Sequence, residues 1–515
     1  MVVITILSKI GLALLASVFM VISFPHPDQG WLVWFALVPL ILACHGQGFL
    51  VSLSLGLLSG MASALGIFSW MFEVPGFKLY HALILALYIG SYTALWCSGL
   101  AFLRTSPLPR MVIGPALWVA IDFLKAHAGF MALPWATLAQ SQHRDLALIQ
   151  TATITGEYGI TFLVVMGNIA LAELITQRAW RRTIIAGAII LLVHIGGAIT
   201  LSQPVAGQVL RVAVVQPCIL LQERETPEGR AASYTRLERL TREAVKKRPA
   251  LIAWPETALR DLPKDLVLME WVKGLVKDIE IPLVVGASEF VKFSRVAEED
   301  KGQLSVEERA YNAAYFIMPD RPLGEPYKKV KLLPFGEYLP LESFVPWPTW
   351  LVPRLFQNIP GDSPKRFELI KGVWFTVRVC WEGVFADFLR QSVKEGTHLL
   401  VQLNNANWFG RTGAEPQHNL TSVFRAVENH IPVLVASNTG PSLIIDEYGR
   451  ILASIPDFFV PGTAVADVHL GDGLTFYTKF GDLFAFTCIA CVALIFIISF
   501  VDRIRRKKAM DRVER

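Results

Sequence analysis

Residues 373–383 read Val-Trp-Phe-Thr-Val-Arg-Val-Cys-Trp-Glu-Gly. Apolar side chains alternate through Val373, Phe375, Val377 and Val379, the pattern of a strand in a buried sheet. The run stops at Cys380, and a polar helical stretch, Phe385–Glu395, follows almost at once. A cysteine at such a strand-to-helix turn is held exposed, with the next backbone N–H free to bind an oxyanion. Outward from this junction the same rhythm repeats. Short β-branched runs occur at Leu210–Val215, Leu251–Trp254, Pro282–Gly286, Ala313–Met318, His398–Leu403, Pro432–Ala436, Ser442–Asp446 and Thr463–Val468. Polar helical stretches, Arg230–Lys247, Leu266–Asp278 and Pro416–Asn429, separate several of them, and Tyr448-Gly-Arg450 reads as a hairpin turn. Strands alternating with helices of this length imply a layered α/β or sandwich-like domain. No internal repeat, low-complexity tract or phosphate-cradling glycine motif interrupts it.

The flanks have a different chemistry. Over the 515 residues, 53% are hydrophobic and 18% charged, and mean hydropathy is +0.45, too apolar for a cytosolic enzyme and incompatible with disorder. Residues 1–103 hold four formal charges, Lys9, Asp28, Glu73 and Lys78, whereas residues 502–515 carry seven positive and three negative ones. That tail nets +4 of the chain's +5, so the basicity is local and is not a nucleic-acid patch. A lipid-spanning helix needs about 20 mostly apolar residues. Eight candidates follow: Ile4–Phe24, Trp31–Cys44, Phe49–Met71, Tyr80–Leu103, Met111–Leu124, Ile160–Thr176, Thr183–Ser202 and Leu483–Val501, of which the second and fifth are short. The first does not read as a cleavable signal peptide, since its only basic residue is Lys9 and Phe24-Pro-His-Pro27 follows it. Arg104 and Arg110, then Arg178, Arg181 and Arg182, then the basic tail mark three segments on one side, together with the N-terminus. That side is expected to be cytoplasmic, which places the segment from about 203 to 476 outside the inner membrane. Three regions result: helices in 1–202, a catalytic domain in 203–476, and a helix with a basic tail in 477–515. Asp122 and Glu173 lie within candidate spans, close enough to the interfaces to snorkel, and the aromatic loop Phe130–Trp135 runs on to Gly156–Gly159.

Of six cysteines, Cys44, Cys97, Cys488 and Cys491 fall in apolar spans, leaving Cys218 and Cys380 in the α/β segment. A Cys218–Cys380 disulfide is one reading in an oxidising compartment. The setting of Cys380 favours a nucleophile. Ala253-Trp-Pro-Glu-Thr257 puts Glu256 just past a strand end, and Tyr327-Lys-Lys-Val-Lys-Leu-Leu-Pro-Phe-Gly-Glu337 supplies a lysine cluster and a second carboxylate. Each is weak alone, because a glutamate after a strand or a run of lysines is more often a solvated surface.

In this order and context the three segments resemble the nitrilase (carbon–nitrogen hydrolase) superfamily through most of residues 210–470. The resemblance rests on Trp254-Pro-Glu256, on Tyr327-x-Lys329 with Leu332, on Val379-Cys-Trp-Glu382, and on Asn404 with Asn407-Trp-Phe-Gly410. It implies an α-β-β-α sandwich and a Glu256–Lys329–Cys380 triad, with Lys328 and Lys331 as non-catalytic neighbours. With flanking spans, the whole chain resembles the superfamily's membrane-embedded branch, the apolipoprotein N-acyltransferases. Leu333-Pro-Phe-Gly-Glu-Tyr-Leu-Pro340 is the most specific piece, supported by Arg425-Ala-Val-Glu428, Ser437-Asn-Thr-Gly440 and the Phe130–Trp135 loop. Departures from the branch are Ala406, Val435, Gln216-Pro-Cys218 and the absence of a following Lys-Trp.

The resemblance implies acyl transfer through a thioester, without a cofactor, metal or nucleic-acid partner. The donor is expected to be a phospholipid, phosphatidylethanolamine on family grounds, and the acceptor the α-amino group of a diacylglyceryl-cysteine at an apolipoprotein N-terminus. Glu256 is then the base, and Lys329 with the Trp381 N–H binds the oxyanion. Glu337 and Glu382 orient Lys329 and the amine. Because free cysteine titrates near 8.5, the thiolate is expected to need the adjacent cation and base. The aromatic segment Phe344–Pro353 either dips into the bilayer surface or packs on the domain. Two other readings keep part of this pattern: a membrane-tethered amidase acting on small amides or nitriles, and a non-enzymatic channel or scaffold with a binding domain.

Overall fold

The computed structural model describes residues 5–105, 108–204, 207–296, 304–352, 357–471 and 473–513. It divides into two compact units, Met1–Gln203 with Phe480–Arg515, and Pro204–Lys479.

The first unit is helical. Among the described residues five helices are long and apolar enough to cross a membrane: Phe49–Ile67, Leu79–Phe102, Glu157–Gln177, Trp180–Ser202 and Leu483–Asp502. Five of the about eight expected spans therefore have that length and composition, and the second and fifth, expected to be short, are among the others. Ile6–Ile22 and Arg110–Ala126 form as 17-residue helices. The stretch expected as Trp31–Cys44 is broken into a short turn, Gly30–Leu32, and two pieces, Val33–Ala36 and Val38–Cys44. The break has a local cause and a distant one. Pro39 cannot donate a backbone hydrogen bond, and Asn168 fills the gap: its Oδ1 accepts from Leu37 N at 2.9 Å and its Nδ2 donates to Val33 O at 2.9 Å. In an apolar surrounding such a break persists only where its polar groups find partners. Close packing of Phe49–Ile67 on Leu79–Phe102 uses small residues, since a Cβ at Gly60 falls 2.7 Å from the Gly90 Cα and one at Gly56 falls 2.9 Å from the Ala94 Cα. Asp122 and Glu173 are both buried and paired, Asp122 with Lys125 at 3.4 Å and Glu173 with Arg182 at 3.0 Å.

The second unit stacks two mixed sheets. Its strands are β1 (Val209–Gln216), β2 (Leu251–Ala253), β3 (Leu259–Arg260), β4 (Leu283–Val296), β5 (Leu304–Ile317), β6 (Tyr327–Lys328), β7 (Arg366–Ile370), β8 (Val373–Val379), β9 (Leu399–Asn404), β10 (Val433–Ser437), β11 (Ser442–Ile445), β12 (Ile451–Ile455) and β13 (Gly462–His469). The first sheet runs β13-β1-β2-β4-β5-β6 with β3 beside β4, and the second runs β12-β11-β10-β9-β8-β7. β1, β2 and β4 pair in parallel, as do β8, β9 and β10, and antiparallel strands close both sheets.

Alternation decides what each face meets. Val212, Val214 and Val284 of the first sheet pack against Phe375, Val377, Val401 and Leu434 of the second. The opposite side chains of the first sheet, Ala213, Val215, Ile252 and Val285, pack on helices Pro227–Val245 and Leu266–Ile279. On the outer face of the second sheet, buried Arg378 donates through Nη2 to Ser392 Oγ at 2.7 Å and Phe388 O at 2.9 Å, both on helix Ala386–Lys394. The unit thus has the expected α-β-β-α layering, and the Tyr448–Arg450 turn joins β11 to β12 as read. The β4–β5 hairpin is much longer than Pro282–Gly286 and Ala313–Met318. Its extension mixes polar residues into the pairing, Lys292 with Glu308 and Val291 with Arg309, so the unbroken apolar signal stops before the strands do.

Candidate active site

The second unit brings the expected triad to one end of its two sheets. Glu256 follows β2 through Trp254 and Pro255, and its carboxylate is almost fully buried. Asn312 Nδ2, from β5, donates to Glu256 Oε1 at 2.6 Å. The turn beyond it is held at Thr257, whose φ is +49°. Arg224 Nη1 donates to the Thr257 carbonyl at 2.8 Å and to its hydroxyl at 2.9 Å, and Asn405 Nδ2 donates to the same hydroxyl at 3.0 Å. Burial pushes the Glu256 carboxyl up to about 7, with the Glu337 charge adding to it and Lys329, Asn312 and Arg224 opposing it.

Glycine is required beside this turn. A Cβ at Gly286 falls 2.2 Å from the Pro255 carbonyl oxygen and 2.8 Å from the Glu256 Cα. Gly286→Ala is expected to displace Glu256, lowering the rate of Cys380 acylation by about 100-fold and stability by about 1–3 kcal/mol. Burst kinetics on a chromogenic ester and thermal unfolding measure the two effects.

Lys329 follows β6 with its side chain buried and its backbone N–H donated to Asn312 O at 2.8 Å. Its ammonium pairs with Glu337 at 2.8 Å. Burial pulls the lysine pKa down, but the charges of Glu337, Cys380 and Glu256 outweigh it and hold the group above its ordinary range. The other lysines of the cluster go elsewhere. Lys328 Nζ reaches Glu289 at 3.3 Å and lies over the Tyr311 ring, while Lys331 Nζ lies over the Phe385 ring and 3.9 Å from Asp387.

The two supporting carboxylates are loop clamps. Glu337 accepts from Lys329 and also, through Oε2, from Leu333 N at 2.7 Å, which ties the Leu333–Pro340 loop to the ammonium. Glu382, fully buried, accepts from Tyr327 Oη at 2.6 Å, Val330 N at 2.7 Å, Lys331 N at 3.0 Å and Val379 N at 2.9 Å. Three of these donors share Oε1, which holds the Tyr327 side chain and the backbone just after Lys329, while Oε2 holds the end of β8.

Cys380 opens the short helical turn Cys380–Val384 at the end of β8, with φ +49°. Cys380 and Cys218 are both free thiols, so the disulfide reading is not what the structure contains. Burial raises the Cys380 thiol well above its usual range, the Glu256, Glu337 and Glu415 charges raise it further, and Lys329 opposes them. Trp381, whose backbone N–H is the expected oxyanion donor, is buried next to the thiol and meets the Phe385 ring edge-to-face at 5.6 Å.

Several polar residues around the site were not singled out from sequence. Asn312 is signalled only as an asparagine just before the apolar run Ala313–Ile317. Gln402, Glu415 and His418 gather behind Cys380, on β9 and on helix Ala414–Asn429, and polar residues in a strand and a helix carry no spacing that points at a thiol. The Phe344–Pro353 segment leaves Phe344 84% and Trp350 66% exposed, while Trp347 packs edge-to-face on Phe335.

Comparison with known proteins covers both units. Residues 16–170 match the family model described as the apolipoprotein N-acyltransferase N-terminal domain, and residues 211–473 match that of carbon-nitrogen hydrolase. An apolipoprotein N-acyltransferase of Geobacter metallireducens is 33% identical, with 95% of each chain covered. One of Gloeobacter violaceus is 30% identical, covering 92% of this chain and 91% of the relative. Among solved structures, an amidase from Nesterenkonia sp. aligns over 53% of this chain and 93% of its own at 18% identity, with a TM-score of 0.36.

Proposed function

The chain belongs to the apolipoprotein N-acyltransferase family, and from that premise we propose that it transfers an acyl chain from a phospholipid to the N-terminal amine of a lipoprotein through a thioester on Cys380. The observation that carries this reading is the meeting of the Glu256 carboxyl, the Lys329 ammonium and the Cys380 thiol at one end of the sheets, with Lys329 close enough to act on both of the others.

Burial and the neighbouring carboxylates favour the protonated thiol over a standing thiolate. As Cys380 Sγ bonds to the ester carbonyl carbon, its proton passes to Glu256 Oε2 or Oε1, and the carbonyl oxygen gains the negative charge. Lys329 Nζ and the Trp381 N–H stabilise that oxyanion. Collapse expels the lysophospholipid alkoxide, which takes the proton from Glu256. The acceptor amine then attacks the thioester, gives a proton to Glu256, and releases Cys380 as the thiol. Amide formation is downhill from a thioester. Glu337 and Glu382 act by fixing the lysine loop, as their hydrogen bonds suggest.

The membrane character of the first unit fits two lipid substrates. We place the protein in the bacterial inner membrane with the catalytic unit on the periplasmic face and both termini cytoplasmic. Phosphatidylethanolamine is the proposed donor, since the carboxylates Glu256 and Glu337 make the site acidic and suit an ammonium headgroup. The exposed Phe344 and Trp350 support contact of their segment with lipid.

This reading sets a pH profile. Glu256 accepts a proton only when ionised, so acylation should fall as pH drops through about 7, the value to which burial raises it. Glu415 titrates in the same region and is the alternative source of such a limb. Single-turnover acylation rates from pH 5 to 9 should keep the acid limb in Glu415→Gln. A limb that disappears in that variant assigns it to Glu415 and contradicts the role given to Glu256.

A further inference from the structure

Behind the nucleophile lies a polar layer that the reaction above leaves unused. The Cys380 carbonyl oxygen accepts two hydrogen bonds, from Gln402 Nε2 at 2.9 Å and from His418 Nε2 at 3.0 Å. The second donor is fixed by its neighbour. Asn404 Nδ2 lies 3.0 Å from His418 Nδ1, and an amide nitrogen only donates, so Nδ1 accepts and the ring proton sits on Nε2. Asn404 is oriented in turn, its Oδ1 accepting from Gln402 Nε2 at 2.8 Å and its Nδ2 donating to Glu415 Oε1 at 3.0 Å. Burial, with help from the Lys329 charge, lowers the His418 pKa to about 4 against the bond to Cys380, so the ring is a neutral donor at physiological pH.

Room is made for this layer. A Cβ at Gly383 falls 2.6 Å from Gln402 Oε1 and 3.0 Å from its Nε2, so any other residue there displaces the amide that holds Cys380. Gln402, Asn404, Glu415 and His418 are all at most 4% exposed. Buried polar side chains cost folding free energy, and here Gln402 and His418 spend a bond each on the Cys380 carbonyl while Asn404, itself bonded to Glu415, links the two.

That carbonyl belongs to the Cys380–Trp381 peptide, whose other end is the N–H assigned to the oxyanion. Donors on a carbonyl polarise its peptide and strengthen the hydrogen bond that the N–H donates. We propose that His418 is a positioning residue of the acylation step: its Nε2–H, with Gln402, holds and polarises the Cys380–Trp381 peptide so that the Trp381 N–H is aimed at the developing oxyanion. The inference rests on the acyl-enzyme reading above only in requiring a tetrahedral oxyanion at Cys380.

The test compares the detergent-solubilised full chain with His418→Ala and His418→Gln. Two reactions of Cys380 are measured: the burst on p-nitrophenyl octanoate, which passes through an oxyanion, and alkylation by iodoacetamide, which does not. In His418→Ala the burst rate is expected to fall about tenfold, the worth of one net hydrogen bond, with KM and the alkylation rate changed less than about twofold. His418→Gln, whose amide can offer an N–H to the same carbonyl, is expected to recover much of the burst. A parallel fall of burst and alkylation, or a glutamine variant as slow as alanine at equal thermal stability, overturns the proposal. An undiminished burst in His418→Ala overturns it alone, whereas no burst in the unaltered protein overturns the acyl-enzyme reading beneath it.

Discussion

Replacing Cys380 by alanine is expected to abolish acyl transfer, a loss on the order of 10⁶-fold in kcat, as when the nucleophile is taken from a catalytic unit that acts together. The fold should survive. The thiol is a small, partly buried group packed on the edge of the intersheet core, and alanine at the same positive φ of +49° carries no more backbone strain than cysteine does. Unfolding should therefore shift by only a few degrees while activity disappears. Cys380→Ser separates size from chemistry. A hydroxyl is a far weaker acid than a thiol, and a carboxylate titrating at about 7 cannot take its proton readily, so serine should also be inactive. Measurable turnover in either variant means that another group forms the bond to the acyl chain.

The second large effect is expected at Lys329. Lys329→Met should lower kcat by about 100- to 1000-fold, the loss typical of one oxyanion donor, and should also cost stability. Glu337 would keep its bonds from Leu333 N and Asn358 Nδ2 but lose its only ion-pair partner among the described residues. A partly exposed carboxylate that loses its cation but keeps two hydrogen bonds costs about 1–3 kcal/mol. The sign of the pH effect is also fixed. Lys329 holds the Glu256 pKa down against burial, so its removal raises that pKa and moves the acid limb of acylation to higher pH. Lys329→Arg should not rescue, because the lysine side chain is 1% exposed and a guanidinium is broader and directs its donors differently. A methionine variant with normal activity and an unmoved limb contradicts the electrostatic role given to this residue.

How much of this was legible in the sequence depends on whether the deciding contact is local. The Val373–Val379 alternation ends at Cys380 and forms β8 as read, because one face of the strand meets the intersheet core and the other, with Arg378, meets a helix, and successive side chains alternate between them. Glu256 and Lys329 stand just after β2 and β6, so motif order was enough to point at them, although their meeting is a product of sheet topology. Asn312 was invisible: it lies 56 positions from the carboxylate it binds, in a strand whose pattern extends past it. Gln402 and His418 were missed for the same reason, since their target is a backbone carbonyl with no side-chain signature. The second apolar stretch was read as one helix because Asn168, which sustains its break, lies more than a hundred residues away. Glu382 was found by motif, yet its four hydrogen bonds to the lysine loop and to the nucleophile turn could not be.

The central claim is that Cys380 carries the acyl chain between two lipid substrates. Incubating the detergent-solubilised protein with dioleoyl phosphatidylethanolamine, followed by intact-mass and peptide mass spectrometry, tests it most directly. The account predicts an oleoyl increment on the Cys380 peptide that hydroxylamine removes and that a diacylglyceryl-cysteine peptide discharges as its N-acyl product. A Cys380 peptide that remains a free thiol, with no increment under conditions where the protein N-acylates the acceptor, contradicts the thioester route. An increment that decays no faster with the acceptor peptide than without it contradicts amide transfer and makes water the acceptor.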